Sequence, residues 1–82
     1  MTILDKIKEG FPSEEFTIAD GFDDAIIGLN ESNMTIVYSI SKCIHILVAQ
    51  GIDEGEAVEH LYFNTIGAYI GEKTPIWVND LF

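Results

Sequence analysis

The stretch AIIGLNESNMTIVYSISKCIHILVAQG, residues 25–51, decides the fold. Ala25–Leu29 and Met34–Tyr38 are two β-prone runs, and Asn30-Glu31-Ser32-Asn33 between them has the residues of a four-residue hairpin turn. Together they predict an antiparallel pair, with Gly28 marking a bulge or a close approach of a neighbouring element. Ser39 then stands where it can cap a helix whose Ile40, Cys43, Ile44, Leu47 and Val48 share one face. Gly51 supplies its left-handed stop. The polar stripe left over, Ser41, Lys42, His45 and Ala49, is narrow, so this helix is expected to lie largely buried across the hairpin.

Downstream, Asp53 and Glu56 have the spacing of a capping box, and Ile52 is set to pack on Ala57 as a hydrophobic staple. At about 100° per residue, Ala57, Val58, Leu61, Tyr62, Thr65, Ile66 and Tyr69 fall on one half of the third helix. Gly67 weakens its end and Gly71 closes it. Thr74-Pro75 then forces an extended backbone, and Ile76-Trp77-Val78 reads as a short last strand at a sheet edge. Upstream, Thr2 caps a first helix carrying Ile3, Leu4, Ile7 and Phe11, broken at Gly10–Pro12. Phe16-Thr17-Ile18 has the residues of a brief strand before the acidic loop Asp20–Asp24, but it is left out of the strand order. The sum is one compact acidic α+β domain over residues 1–82. It has the order α-β-β-α-α-β, with a small, mainly antiparallel three-stranded sheet and about three helices packed on it.

Charge is concentrated at the two flanks. The net charge is −10, from 14 acids against 4 lysines. Residues 1–31 carry −6, residues 32–50 carry +1 and residues 51–82 carry −5. Without clustered Lys or Arg the chain has nothing to neutralise phosphates, which argues against direct nucleic-acid binding and against an anionic membrane surface. A basic protein surface is the electrostatically favoured partner. A hydrophobic fraction of 48% places the chain away from the disordered class. Its one cysteine, Cys43, permits no intrachain disulfide, which fits a reducing cytoplasm. The start lacks the basic end and apolar run of a signal peptide, and Met34–Ala49 is too short for a membrane span.

The search for chemistry leaves little. Cys43 and His45 stand two apart on a helix, pointing about 200° away from each other, so they make no thiolate–imidazole pair. Cys43 reads as a small core hydrophobe, and a metal site on His45 and His60 would need two polar helix faces to meet. Asp20–Glu31 superficially resembles a calcium loop, but Phe22 and Ala25 occupy the positions of an oxygen ligand and a turn glycine. The glycines make no phosphate-binding pattern, and no carboxylate stands in an apolar context. No catalytic residue, cofactor or metal is therefore expected. Phe63 breaks the pattern. It lies outside the apolar arc of the third helix, among Glu56, Glu59 and His60, where an aromatic side chain serves as a contact anchor unless another element covers it. With the loop acids Asp23 and Asp24, these residues form the expected partner-binding set: Phe63, Glu56, Glu59, His60, Asp23 and Asp24. Trp77 and Phe82 pose the same question, and such aromatics usually complete a small core.

Asp23-Asp24-Ala25-Ile26-Ile27-Gly28, Val37-Tyr38-Ser39, Glu56-Ala57 and the run from Phe63 to Ile76 resemble a pattern in small uncharacterised proteins of phages and bacteria. The resemblance spans about residues 22–78 and transfers no functional residue. It implies a phage-type reading frame acting in a bacterial host cytoplasm. In that setting the expectation is a non-enzymatic protein-binding module, an acidic inhibitor or modulator of a host nucleic-acid-handling or defence protein. The alternative is a homo-oligomeric accessory protein that associates through its edge strand or third-helix aromatics.

Overall fold

The computed structural model describes residues 2–68 and 73–81. Strands β1 (Ile26–Asn30) and β2 (Thr35–Ser39) form the antiparallel hairpin, with Leu29 opposite Ile36 and Asn30 opposite Thr35. The turn is Glu31–Met34, one residue later than the expected Asn30–Asn33. The side chains explain the shift. The Asn30 carboxamide oxygen accepts from the Ser32 amide at 3.1 Å and from its hydroxyl at 2.8 Å, which holds Asn30 at the end of the strand. Met34 closes the turn at φ 54°, a left-handed conformation that non-glycine residues adopt at a cost. Ile26 pairs with Tyr38 and Gly28 with Val37, so Ile27 is the extra residue of a bulge, beside the glycine that marked it.

Ser39 ends β2 and caps α2 (Ile40–Ala49), its hydroxyl accepting from the Lys42 amide at 3.2 Å. At the far end, the amides of Gly51 and Ile52 bond back to Val48 and Leu47 with Gly51 at φ +94°, a Schellman closure that needs the glycine. Ile40, Cys43, Ile44 and Leu47 are buried, while Val48 is half-exposed. Val48 stands about 80° round the wheel from Ile40, at the rim of the apolar arc. The chain continues through α3 (Glu54–His60) to β3 (Ile76–Val78), which pairs with β2 in parallel, Tyr38 beside Trp77. Because two helices intervene, β3 re-enters in the direction of β2 and does not return as a hairpin would. The sheet is thus mixed and mostly antiparallel, in order β1-β2-β3, with β3 at an edge.

Register assigns the faces. Ile26, Leu29, Ile36, Tyr38 and Trp77 project to one side, where Leu4 and Ile7 of α1 (Ile3–Gly10), the inner face of α2, and Ala57 of α3 join them in one core. α1 begins with a full capping box, Thr2 and Asp5 each accepting from the other's amide. At α3 the expected box is replaced by a simpler cap, in which the Asp53 carboxylate takes the Gly55 amide at 3.1 Å.

The brief strand that the residues at Phe16–Ile18 suggest is not formed. Phe16 and Ile18 pack against the core, and the next amide, that of Ala19, donates to the hydroxyl of Tyr38 at 2.8 Å rather than to a strand. Tyr38 is fully buried, and its ring stacks on Trp77 with centroids 4.8 Å apart and planes 20° apart. The segment after β3 is fastened by Asp80. Its carboxylate accepts from the Ser39 hydroxyl at 2.5 Å and from the Ser41 amide at 2.9 Å, at the positive end of α2.

Tyr38→Phe removes the acceptor of the buried Ala19 amide and is expected to cost about 1–3 kcal/mol, read as a lower urea midpoint at unchanged slope. Hydrogen bonds from Ser39 and Ser41 hold the Asp80 carboxyl down at about 2, against its model-compound 3.8. The stabilisation it supplies is therefore complete above the unfolded-state value and is lost as pH falls through the folded one. The stability gap between the native chain and Asp80→Asn should be constant from pH 7 to about 5 and close between about 4 and 2.

Candidate functional site

α3 does not continue as a regular helix. From Leu61 to Thr65 it widens into a π-helical turn, followed by a 3-10 turn at Ile66–Ala68. The Ile66 amide points at the carbonyls of both Leu61 and Tyr62, the i−5 and i−4 partners. Gly67 fits beside this turn because a Cβ there would come within 3.2 Å of the Tyr62 carbonyl oxygen. The wider turn brings Leu61 and Thr65 over one another, and both are buried.

Phe63, midway between them, is turned to the opposite side and is 78% exposed. Among the described residues, neither α1 nor residues 79–81 cover it. Tyr62, placed on the inner arc by a uniform 100° step, is instead 40% exposed next to Phe63. An aromatic pair thus stands in water, where covering a side chain of this size is worth about 1.5–3 kcal/mol.

Glu56, Glu59 and His60 are all exposed and lead along α3 to Phe63. The Asn64 side-chain amide reaches His60 Nδ1 at 3.2 Å, which ties the imidazole to the helix surface one turn away. These residues make an aromatic centre with a polar, carboxylate-bearing margin. Asp23 and Asp24 are exposed as well, but on another element. They sit in the 3-10 turn Asp23–Ala25, by a shallow depression shared with Thr2, Ile3 and Ile26 at the start of β1. The expected set therefore divides into an α3 group of four and a separate pair.

The other candidates resolve simply. Cys43 is fully buried and His45 exposed, on different sides of α2. Burial, with a smaller contribution from the Asp80 carboxylate, pushes the Cys43 thiol up to about 12, so it is not poised as a nucleophile. Among the described residues no group of three or more His, Cys, Asp or Glu is placed to hold a metal ion, and no helix is long and apolar enough to cross a membrane. Trp77 completes the core against Tyr38. Tyr69, Gly71 and Phe82, for which the sequence also raised expectations, lie outside the described residues. The sequence pattern missed Tyr62 and Asn64 as members of the exposed surface: a uniform step counts Tyr62 on the inner arc, and nothing in the spacing ties Asn64 to His60.

No protein-family model, curated protein or solved structure matches the chain.

Since Phe63 makes so little of the core, Phe63→Ala is expected to change unfolding free energy by no more than about 0.5 kcal/mol. A thermal or urea melt checks this, and a large loss would mean that the ring is covered in solution.

Proposed function

We propose that this chain is a non-enzymatic protein-binding module that docks on a basic surface through Phe63, with Tyr62 beside it and Glu56, Glu59 and His60 around it. The carrying observation is the 78% exposure of Phe63 on the π-helical turn of a −10 chain. An exposed aromatic offers a desolvated anchor, and surrounding carboxylates speed and orient the approach of a cationic partner. Asp23 and Asp24 add to the long-range attraction from a different part of the surface. The resemblance to small phage and bacterial proteins supports a setting in the bacterial host cytoplasm, and a lone buried thiol is compatible with that reducing compartment. There the module would act as an inhibitor or modulator, occupying the groove of a host nucleic-acid-handling or defence protein.

Self-association is the second reading. It is favoured by β3, an edge strand whose Val78 is 38% exposed and which is followed by the half-exposed Leu81. It must overcome repulsion between two chains of −10 each.

Capture from a bacterial lysate by the native chain and by Phe63→Ala, at low and high salt, tests the proposal. The expected result is a stoichiometric basic protein that is released by salt and whose affinity falls roughly thirtyfold in the variant, about 2 kcal/mol. A partner retained equally by both chains at high salt would contradict it. Recovery of the bait alone, with a defined multiple of its mass by light scattering, would instead establish self-association.

A further inference from the structure

A second recognition feature lies away from Phe63, where α1 ends and the chain turns back along it. Phe11, Pro12, Phe16 and Ile18 form the apolar side of a groove of about 460 Å³. Glu14, Glu15 and Lys8 complete its lining. A shallower depression continues past Lys8 and Pro12 to Asp5 and Glu9 on the outer face of α1. Four carboxylates thus share this surface with two ammonium groups, those of Lys8 and of Lys73, which pairs with Glu14. Phe16 and Ile18, which the sequence suggested as a strand, are half-buried: they pack against the core and also line the groove.

The chain already displays the chemistry that such a cleft recognises. Lys73 brings its ammonium to 3.2 Å from the Glu14 carboxylate and 5.8 Å from the centre of the Phe16 ring. It also donates to the Met34 carbonyl at 3.4 Å. One cation is therefore held jointly by a carboxylate, an aromatic face and a backbone oxygen, at a contact that stays partly open to water. Glu15, next to Glu14 in the groove lining and exposed, has no ion-pair partner among the described residues and offers its carboxylate to a cation from outside.

We propose that this groove binds an extended segment of a partner protein in which Lys or Arg alternates with apolar residues. The cations would meet Glu14, Glu15 and the α1 acids, and the apolar side chains would enter between Phe11, Phe16 and Ile18. The apolar floor selects a peptide over a free polyamine, and the carboxylates exclude nucleic acid. The inference rests on the reading of the chain as a binder of basic proteins and adds to it a second contact surface independent of Phe63.

Titration of the ¹⁵N-labelled full chain with N-acetylated, C-amidated Lys-Leu-Lys-Leu-Lys, followed by amide chemical shifts, tests it. Saturable shifts centred on residues 8–18 are expected, unchanged in Phe63→Ala and weakened about fivefold or more in Glu15→Lys. Glu15 is exposed, so that variant should fold normally. Phe16→Ala should weaken binding too, but Glu15→Lys decides if its fold is lost. The Glu-for-Lys peptide and spermidine should give no localised shifts. Equal response to spermidine, shifts spread over the whole acidic surface, shifts only around Phe63, or none that saturate would each overturn the proposal. Failure here with Phe63-dependent capture intact removes the groove alone, and groove binding without such capture removes the Phe63 reading alone.

Discussion

Tyr38 is the constraint on which the rest depends. It lies in the central strand, fully buried, with its ring against Trp77 of β3 and its hydroxyl taking the Ala19 amide. One side chain thereby fixes the parallel register of the last strand and the path of the segment that precedes the hairpin. A tyrosine rather than a phenylalanine is needed because the loop leading into β1 passes through the core edge with its amides unpaired by a strand. The next residue extends the arrangement. Ser39 caps α2 and donates to Asp80, so the start of the central helix and the segment after β3 close on the same point.

This economy of the core explains the surface. The hairpin and α2 carry only Glu31 and Lys42 as formal charges, which leaves the remaining acids for the parts that wrap around them. Carboxylates so placed cost little in stability and set a strong negative field. The field by itself selects nothing. Selectivity needs apolar surface within reach of a partner, and the acidic cover holds the exposed aromatic turn at Tyr62–Phe63 and the cleft lined by the half-buried Phe11 and Phe16. In each, the local backbone departs from the regular element that the residue pattern suggests, a π-turn in one and an unpaired segment in the other.

That contrast marks how much was legible in the sequence. The hairpin, the bulge at Gly28, the caps at Thr2, Ser39 and Asp53 and the stop at Gly51 were all readable, since each rests on a short-range preference of a named residue. The place of Phe63 outside the apolar arc was readable as well, since it lies opposite Leu61 at either helical pitch, but whether α1 or the C-terminal tail covers it was not. Three further features were not. The parallel pairing of β3 depends on where two helices deliver the chain, and Phe16–Ile18 lost its strand to a hydroxyl 19 residues beyond Ala19. The π-turn at Leu61–Thr65 leaves no mark in residue spacing, and Tyr62, counted on the inner arc by a uniform step, stands at its rim and is 40% exposed.

On the proposed function, Phe63 is free in the isolated chain and becomes covered by a basic partner. The most direct test is the ¹⁹F resonance of a fluorinated phenylalanine at position 63, recorded in buffer and then in bacterial lysate at low and high salt. The expected result is a narrow, solvent-exposed line in buffer, broadened in lysate at low salt and restored at high salt. A line shifted and broad already in dilute buffer, or one unchanged by the lysate at low salt, would contradict it.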